Sequence, residues 1–366
     1  MPDIEFLPDE GEYPADVPPR PPRDRRRVAV LALGAAALLS AVVVAVVVTN
    51  GSKPIPKAQS AATPTVAPVE QTSTLTLPVS IAFGPASVDV LAVGNRVYSL
   101  TPTLIGMAGR DGGAAVVRPA PLGLSAPIGH GELVADVDHG LLWVVDIGGN
   151  AIGAYDMDHL DRLSSPVSPY PINGAVAMDE QLWFTTDHGL YTAVAGPGEP
   201  RLVPGTRHRF DSIAADRTLH RLLVVAHTSP ARLVAFSTYG PVAAVTLPIS
   251  DVSSIAYPYG ALWLSGTSES GPALLLVDPP KLRVRGESPV IARVGSDPRI
   301  VGAFQDRVLV RGGADGHSLF CLDAYSGAVK QTWTVPLGAV TLNGTGLLVD
   351  AESGIEEINA GACLAA

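Results

Sequence analysis

A short motif of leucine, tryptophan and aliphatic residues recurs in this chain at intervals of forty residues. Leu142-Trp143-Val144 is followed at that interval by Leu182-Trp183-Phe184, Leu222-Leu223-Val224 and Leu262-Trp263-Leu264. Each motif lies in a run of alternating apolar and polar residues that ends at Gly, Asp or Pro, which is the pattern of a β-strand bounded by turns. A constant period of this kind predicts a repeat protein, in which one structural unit is stacked several times.

The length of the period indicates which unit is repeated. About forty residues make one four-stranded blade of a β-propeller. Weaker copies extend the series, and the central residues of the motifs are Tyr98, Trp143, Trp183, Leu223, Trp263, Leu309 and Leu348. A Gly/Asp/Asn turn and another strand-like run follow most motifs, so the motifs are predicted to be second strands. The predicted fold class is all-β, a β-propeller with seven blades, six or eight being the alternatives.

Composition supports one large domain of short strands. The chain has 366 residues, with 33 Pro and 37 Gly against only 4 Met and 7 Phe. Such usage is typical of turn-rich proteins, and propellers of more than about 250 residues commonly form a single domain. The tryptophans at equivalent repeat positions are predicted to pack between adjacent blades rather than to bind a ligand.

The last repeat predicts how the ring closes. From about Leu337 the sequence has room for only three strands before the C-terminus. Residues 74–83 (TLTLPVSIAF) form an alternating strand that belongs to no other repeat. We therefore expect the strand at the start of the domain to complete the final blade.

Two segments carry a resemblance to known repeats. Residues 142–156 (LWVVDIGGNAIGAYD) and 319–329 (LFCLDAYSGAV) resemble blades of the seven-bladed propellers with NHL, YVTN or quinoprotein-like repeats, and the general pattern is also WD40-like. The likeness covers roughly residues 76–366 and implies the fold, but it carries no function with it. Asp323, Ser326, Gly327 and Trp333 only approximate the quinoprotein docking motif, and only once, so no cofactor is predicted.

An apolar segment near the N-terminus predicts a membrane anchor. Residues 28–48 contain 21 consecutive residues without a charge. At about 1.5 Å per residue, a helix of that length spans roughly 31 Å, the thickness of the bilayer core. Five arginines lie between positions 20 and 27, whereas only Lys53 and Lys57 follow the segment, so the N-terminus is predicted to be cytoplasmic. The alternative is a cleaved signal peptide.

This anchor divides the chain into four predicted parts. Residues 1–27 are a disordered cytoplasmic tail, 28–48 a transmembrane helix, 49–74 a Pro/Thr/Ala-rich linker, and 75–366 an extracytoplasmic propeller. The Ala-, Val-, Pro- and Gly-heavy usage is typical of bacteria with GC-rich genomes, so a bacterial cell envelope is the expected location. The net charge is −10, and no basic patch lies outside residues 1–27, so no nucleic-acid partner is predicted.

No catalytic motif is present, and no catalytic residue is predicted. The turns that follow the second strands should emerge on one face, and they contain Asp146, Asp187, His188, His227, Glu269, Asp315, His317 and Glu352. Carboxylates and imidazoles suit a divalent metal or a cationic ligand, so these eight residues form the candidate binding face. The alternative is ordinary turn chemistry, in which Asp is frequent.

The two cysteines, Cys321 and Cys363, both lie on the oxidising side of the predicted topology. A disulfide between them would pin the C-terminal tail across the seam of the ring. Two buried free thiols are the alternative.

Three functional hypotheses follow. The first is a binding or scaffolding module of the cell envelope, whose partner would be an envelope protein or a glycan. The second is a metal-dependent propeller enzyme, such as a lyase or lactone hydrolase, that uses the acidic turns. The third is a transmembrane sensor, although the tail of 27 residues contains no recognisable signalling domain.

Overall fold

The computed structural model describes residues 74–75, 87–110, 115–121, 130–237, 240–258, 260–287, 298–313, 316–342, 346–351 and 354–365. The predicted transmembrane segment 28–48, the tail before it and all but Thr74 of the predicted linker lie outside these residues. Among the residues that are described, no helix is long and apolar enough to cross a membrane.

The described strands form seven antiparallel sheets of four strands each. Blade 1 comprises β2 (Asp89–Val93), β3 (Arg96–Leu100), β4 (Leu104–Gly109) and β5 (Val116–Pro119). Blade 2 comprises β6 (Gly131–Asp136), β7 (Leu141–Asp146), β8 (Ile152–Asp156) and β9 (Arg162–Ser164). Blade 3 comprises β10 (Ile172–Met178), β11 (Gln181–Thr186), β12 (Gly189–Val194) and β13 (Arg201–Leu202).

The remaining blades follow the same order. Blade 4 comprises β14 (Phe210–Asp216), β15 (Arg221–Ala226), β16 (Arg232–Ser237) and β17 (Gly240–Thr246). Blade 5 comprises β18 (Asp251–Ala256), β19 (Leu262–Ser268), β20 (Gly271–Asp278) and β21 (Arg283–Glu287). Blade 6 comprises β22 (Arg299–Phe304), β23 (Arg307–Gly312), β24 (Ser318–Asp323) and β25 (Val329–Thr334). Blade 7 comprises β26 (Val340–Leu342), β27 (Gly346–Ala351), β28 (Gly354–Asn359) and, from the start of the domain, β1 (Thr74–Leu75).

The seven-bladed fold predicted from the forty-residue period is confirmed. Every predicted motif lies on the second strand of its sheet, from Tyr98 on β3 to Leu348 on β27. The first strands of neighbouring blades contact one another around the ring, and the contact between β2 and β26 closes it. The first strands therefore line the centre of the molecule.

The core consists of side chains that pack between adjacent blades. Trp263, which has no exposed surface, packs on Val308 and Val310 of blade 6. Trp143 packs on Ala177 and Phe184 of blade 3 in the same way. The large residues of the repeat thus bury apolar surface at the seams between blades, where a propeller needs it.

The ring closes in the way the last repeat predicted. β1 pairs with β28, so that Thr74 lies opposite Ile358 and Leu75 opposite Glu357. Residues 76–83 of the predicted strand lie outside the described residues. Since β1 belongs to blade 7 and the chain continues into blade 1, the start of the domain ties the last blade to the first.

The C-terminus is fixed beside this closure. Two short 3₁₀ turns, Val137–His139 and Pro279–Lys281, and one α-helix, Gly361–Leu364, are the described helical segments. A disulfide joins Cys363 in this helix to Cys321 on β24, with a Cα–Cα distance of 5.8 Å. Cys321 and Cys363 have no exposed surface and lie in the core cluster between blades 6 and 7.

Candidate ligand-binding face

The four strands have the same order and direction in every blade, so all turns between second and third strands lie on one side of the ring and all turns between first and second strands lie on the other. We call the side with the turns between second and third strands the BC face, and the side with the turns between first and second strands the AB face. Because strands alternate in direction, the first strands begin at the BC face. This face therefore combines the turns singled out in the sequence with the mouth of the central channel.

Six of the eight candidate residues are described, and all six lie on the BC face. Asp187 and His188 form the exposed turn between β11 and β12, and Glu269 is exposed in the turn between β19 and β20. Asp146 ends β7, His227 follows β15, and His317 precedes β24. Asp315 and Glu352 lie outside the described residues.

Two of the six, Asp187 and His227, belong to one polar network. The Nε atom of Arg209 lies 3.1 Å from Asp187 Oδ1 and 3.2 Å from Asp211 Oδ1. His227 Nδ1 lies 2.9 Å from the other oxygen of Asp211. Asn173 donates to Asp187 Oδ1 at 3.0 Å and to the carbonyl of Phe210 at 2.8 Å. Side chains of blades 3 and 4 are thereby held together at the mouth of the channel.

The sequence motifs did not reveal Asn173, Arg209 and Asp211. Asn173 and Asp211 are the second residues of β10 and β14, and each is the extra residue of a β-bulge. A bulge turns the side chain of its extra residue away from the regular alternation, which is why bulges are common beside functional sites. The signal available in the sequence was a polar residue at the same place in two consecutive first strands.

The network lines a cavity of about 300 Å³ at the BC face. Its walls come from the turn after β7, from the starts of β10, β14 and β18, and from the residues beside them: Ile147, Gly148, Ile172, Asn173, Arg209, Asp211, His227, Asp251 and Val252. A cavity of this size is at the small end of ligand-binding pockets. It can hold one amino acid side chain or a single sugar.

The other described candidates do not join this network. Asp146 is only 5% exposed, and burial raises the pKa of its carboxyl group. Its Oδ2 atom has no hydrogen-bond partner among the described residues, and a Cβ atom on Gly149 would lie 1.8 Å from it. Asp146 therefore lies directly beneath the turn of blade 2, where only glycine fits.

His188 and His317 have other neighbours. The His188 ring lies against that of Tyr170, with the centroids 3.8 Å apart and the planes tilted by 36°. His317 Nδ1 lies 3.0 Å from the carbonyl oxygen of Val335. Within the residues described, no group of three His, Cys, Asp or Glu side chains is placed to hold a metal ion.

Two further carboxylates lie on the innermost strands near the same mouth. Asp89 begins β2, and its carboxylate accepts hydrogen bonds from the backbone N–H groups of Val90 and Leu133, at 2.8 and 2.7 Å. Desolvation raises the pKa of Asp89 to about 7. Desolvation and the nearby charge of Asp89 raise the pKa of Glu132, on β6, to about 8. Burial therefore disfavours the charged forms of both carboxyl groups, and near neutral pH much of the pair is protonated.

We expect Glu132→Gln to flatten the dependence of stability on pH. The folded pKa of Glu132 lies above its ordinary value of 4.5, so between pH 4.5 and 8 the folded protein binds more protons than the unfolded chain. Stability therefore falls as the pH rises through this window in the wild type. At pH 8.5 the variant should be more stable than the wild type by about 1 kcal/mol, because it carries no carboxylate that must be buried in its charged form. A partly open channel keeps this value below the full effect of the pKa shift.

Thermal unfolding from pH 5 to pH 8.5 measures this effect. Glu199→Gln, which removes an exposed carboxylate on the AB side of blade 3, should keep the wild-type profile. Parallel profiles for wild type and Glu132→Gln would contradict the assignment.

The comparisons with known proteins agree on the fold. No protein-family model matches this chain, and no curated protein matches it. Among solved structures, the β-propeller domain of Cps50 (Swd1) from Myceliophteria thermophila is similar with a TM-score of 0.58 and 12% identity, covering 79% of this chain and 99% of that one. The WD40 β-propeller domain of Doa1 gives 0.55 and 12% identity, covering 80% and 98%. Hydrazine synthase of Kuenenia stuttgartiensis gives 0.57 and 7%, covering 80% and 99%.

These similarities identify the class of protein. The chain contains a seven-bladed β-propeller, and its general architecture is shared with WD40 propellers. Identities of 7–12% establish the fold alone.

Proposed function

We propose that this chain is a membrane-anchored propeller of the bacterial cell envelope, with NHL/YVTN-like repeats, that binds a cationic group at the mouth of its BC face. The network of Asp187, Arg209, Asp211 and His227 around the cavity is the observation that carries this proposal. A propeller provides a rigid ring, and ligand contacts on such folds come from the turns and strand ends at one face.

The charges at the mouth favour a cationic ligand. Asp211 and Asp251 line the cavity beside Arg209 and His227, and Asp187 lies behind them in contact with Arg209. Asp89 and Glu132, on the first strands of blades 1 and 2, add further negative charge only above their raised pKa values of about 7 and 8. A recessed mouth lined mainly by one sign of charge concentrates its field and attracts the opposite sign. An ammonium group on an envelope protein or on an amino sugar fits both this charge and the small volume.

The positions of the two chain ends support the proposed arrangement at the membrane. Thr74 pairs with Ile358, at the AB end of blade 7, so the segment before it joins the propeller at the AB face. The C-terminal helix follows β28 at the same end. If residues 28–48 form the anchor, the candidate site lies on the face opposite the attachment point and is open to a partner.

Calorimetric titration of the soluble domain, residues 62–366, tests the binding site. The probes are N-acetyl-lysine methylamide and glucosamine, with N-acetyl-norleucine methylamide and glucose as uncharged controls. We expect only the cationic probes to bind. Asp211→Asn should weaken them about tenfold, because it removes the carboxylate that contacts both Arg209 and His227 and so lowers the negative charge at the cavity.

Asp161→Asn is the matched control, since it removes an equally charged but exposed carboxylate at the start of the segment leading to β9. Intact cells producing the full chain should bind a fluorescent lysine peptide that cannot cross a membrane, and Asp211→Asn should abolish this binding. Equal binding of charged and uncharged probes would refute the cationic site. Binding by the purified domain but not by intact cells would refute the outward display.

A further inference from the structure

A loop beside the cavity presents ring side chains to solvent. This loop, residues 168–172 (SPYPI), joins blade 2 to blade 3 on the BC face, and we call it the Tyr170 loop. Pro169 and Pro171 are exposed and Tyr170 is half-buried. Ile172, at the end of the loop, lines the cavity of the proposed site.

Hydrogen bonds within the protein fix the Tyr170 loop. Ser168 N–H donates to the Asn150 carbonyl, and Ile172 N–H donates to the Gly149 carbonyl, both at 2.8 Å. The Ser168 hydroxyl donates to the Tyr170 carbonyl at 2.6 Å, and Tyr170 N–H donates back to the same hydroxyl oxygen at 3.3 Å. The loop is therefore held in place before a ligand arrives, which lowers the entropy cost of binding.

The same bonds leave the Tyr170 loop without a free backbone donor. Pro169 and Pro171 have no N–H group. The N–H groups of the other three residues, Ser168, Tyr170 and Ile172, all donate within the protein. A peptide that binds through its backbone, as an added strand does, needs such donors. The loop offers ring surfaces instead.

A histidine ring extends this surface. The imidazole of His188 lies against the ring of Tyr170, with the centroids 3.8 Å apart. On the inner side, the ring of Tyr191 lies 6.3 Å from that of Tyr170 and stacks on Phe184 at 5.6 Å. Tyr191 and Phe184 are buried, whereas His188 is exposed. The buried rings therefore support a surface whose outer member is the His188 ring.

This ring surface is continuous with the proposed cation site. Asn173, which follows the Tyr170 loop, lines the cavity, and its amide donates to Asp187 Oδ1 at 3.0 Å. Asp187 directly precedes His188, and both are exposed. A ligand that fills the cavity and extends past Asn173 therefore meets Asp187 and the outer face of His188.

An amino sugar matches both parts of this surface. The faces of a glucosamine ring present axial C–H groups, which pack on the flat apolar faces of ring side chains. Its ammonium group suits the carboxylates of Asp211 and Asp251 in the cavity and of Asp187 at the rim. A lysine side chain supplies only the charge, and the backbone that carries it finds no donor on the Tyr170 loop.

We propose that the site takes two linked hexosamine units, one with its ammonium group in the cavity and the next against His188 and the Tyr170 loop. This inference rests on the proposed cationic site and names its ligand as an amino-sugar glycan rather than a protein lysine. The cavity, about 300 Å³, holds a single sugar, so the second unit lies on the surface beside it.

Calorimetric titration of the full chain in a non-ionic detergent tests the second unit. The probes are glucosamine, N-acetyl-lysine methylamide and glucosaminyl-β-1,4-N-acetylglucosamine, a disaccharide with the same single charge as glucosamine. We expect the disaccharide to bind at least tenfold more tightly than glucosamine, because the second unit gains contacts without a second loss of free motion. The lysine probe should bind no more tightly than glucosamine.

Variants of His188 separate the two units. His188→Ala removes the outer ring, so the disaccharide should lose about tenfold in affinity and match glucosamine, whose own affinity should not change. His188→Tyr keeps a ring and should retain the preference for the disaccharide. His159→Ala, which removes an exposed imidazole on the AB side of blade 2, is the matched control and should change neither affinity.

A measurement on the wild type complements the variants. When the aromatic protons of the protein are saturated in an NMR experiment, the saturation should pass to the C–H protons of both sugar units. Transfer to the first unit alone would overturn the proposed contact with His188.

The outcomes distinguish this inference from the proposed function. Equal affinities of the disaccharide and glucosamine for the wild type would overturn the inference and leave the cationic site standing, as would a preference that survives His188→Ala. Tighter binding of acetyl-Gly-Lys-Gly-methylamide than of the disaccharide would indicate a protein partner and also overturn it. If no cationic probe binds, the cationic site and this inference both fail.

Discussion

Replacing both Cys321 and Cys363 with alanine should lower the free energy of unfolding by about 4 kcal/mol. The disulfide links positions 42 residues apart, from the third strand of blade 6 to the C-terminal helix. A crosslink of that length removes chain entropy mainly from the unfolded state, so its loss stabilises the unfolded chain. Both residues are fully buried, and alanine leaves no unpaired polar group behind.

The variant should still fold, because other contacts hold the C-terminus in place. Arg307 is only 3% exposed, and its guanidinium donates to the carbonyl oxygens of Cys363 and Ala365. Cys363 N–H donates to Gln331 Oε1 at 2.9 Å. We therefore expect a lower midpoint with an unchanged number of transitions.

Chemical denaturation with and without reductant measures the effect. Reduced wild type should approach the stability of the double alanine variant, and the variant itself should not respond to reductant. A wild type whose midpoint is the same in both conditions would contradict the prediction.

The repeat period was sufficient to predict the second strands and the manner of closure. An alternating run bounded by turn residues specifies a strand locally, and forty residues leave room for four. Trp143 and Trp263 mark the seams because only large apolar side chains fill the space between blades. These features depend on local sequence and on one packing rule, so they can be recognised without a structure.

The candidate site could be predicted only in part. Turn residues such as Asp187 and His227 were found because the topology places all these turns on one face. Asp211 and Asn173 were missed because a β-bulge, which periodicity does not reveal, decides where they point. Which carboxylates meet one another depends on contacts between blades 3 and 4, and no pattern within a single repeat specifies these.

The seam between blades 2 and 3 shows the same limit. Val194 looks like an ordinary strand residue until the register aligns it with Asp156 and Asp323. The absence of a hydrogen bond at Trp143 is visible only by comparison with Trp263. Departures from a repeat therefore become informative once the regular copies have been superimposed.

Loss of the first strand should destabilise the whole ring. A soluble domain that begins at residue 76 lacks β1, which leaves β28 without its outer partner in blade 7. It also cuts the covalent path from blade 7 to blade 1, where the seam otherwise depends on contacts such as those of β26 with β2. The loss of two cross-strand pairs and their hydrogen bonds should lower the free energy of unfolding by about 3 kcal/mol. The loss of the covalent link between blades 7 and 1 should lower it further.

Calorimetry of the domains beginning at residues 62 and 76 measures the difference. We expect a lower melting temperature for the shorter domain. It should also aggregate earlier, because an unpaired strand edge can pair with other chains. Leu75→Pro in the longer domain removes a backbone donor from β1 and a ladder position with it, so it should reproduce much of the loss. Thr65→Pro, in the predicted linker outside the described residues, is the control in the longer domain and should have no effect. Equal melting temperatures for the two domains would show that the ring is closed by blade packing alone, and that β1 is dispensable.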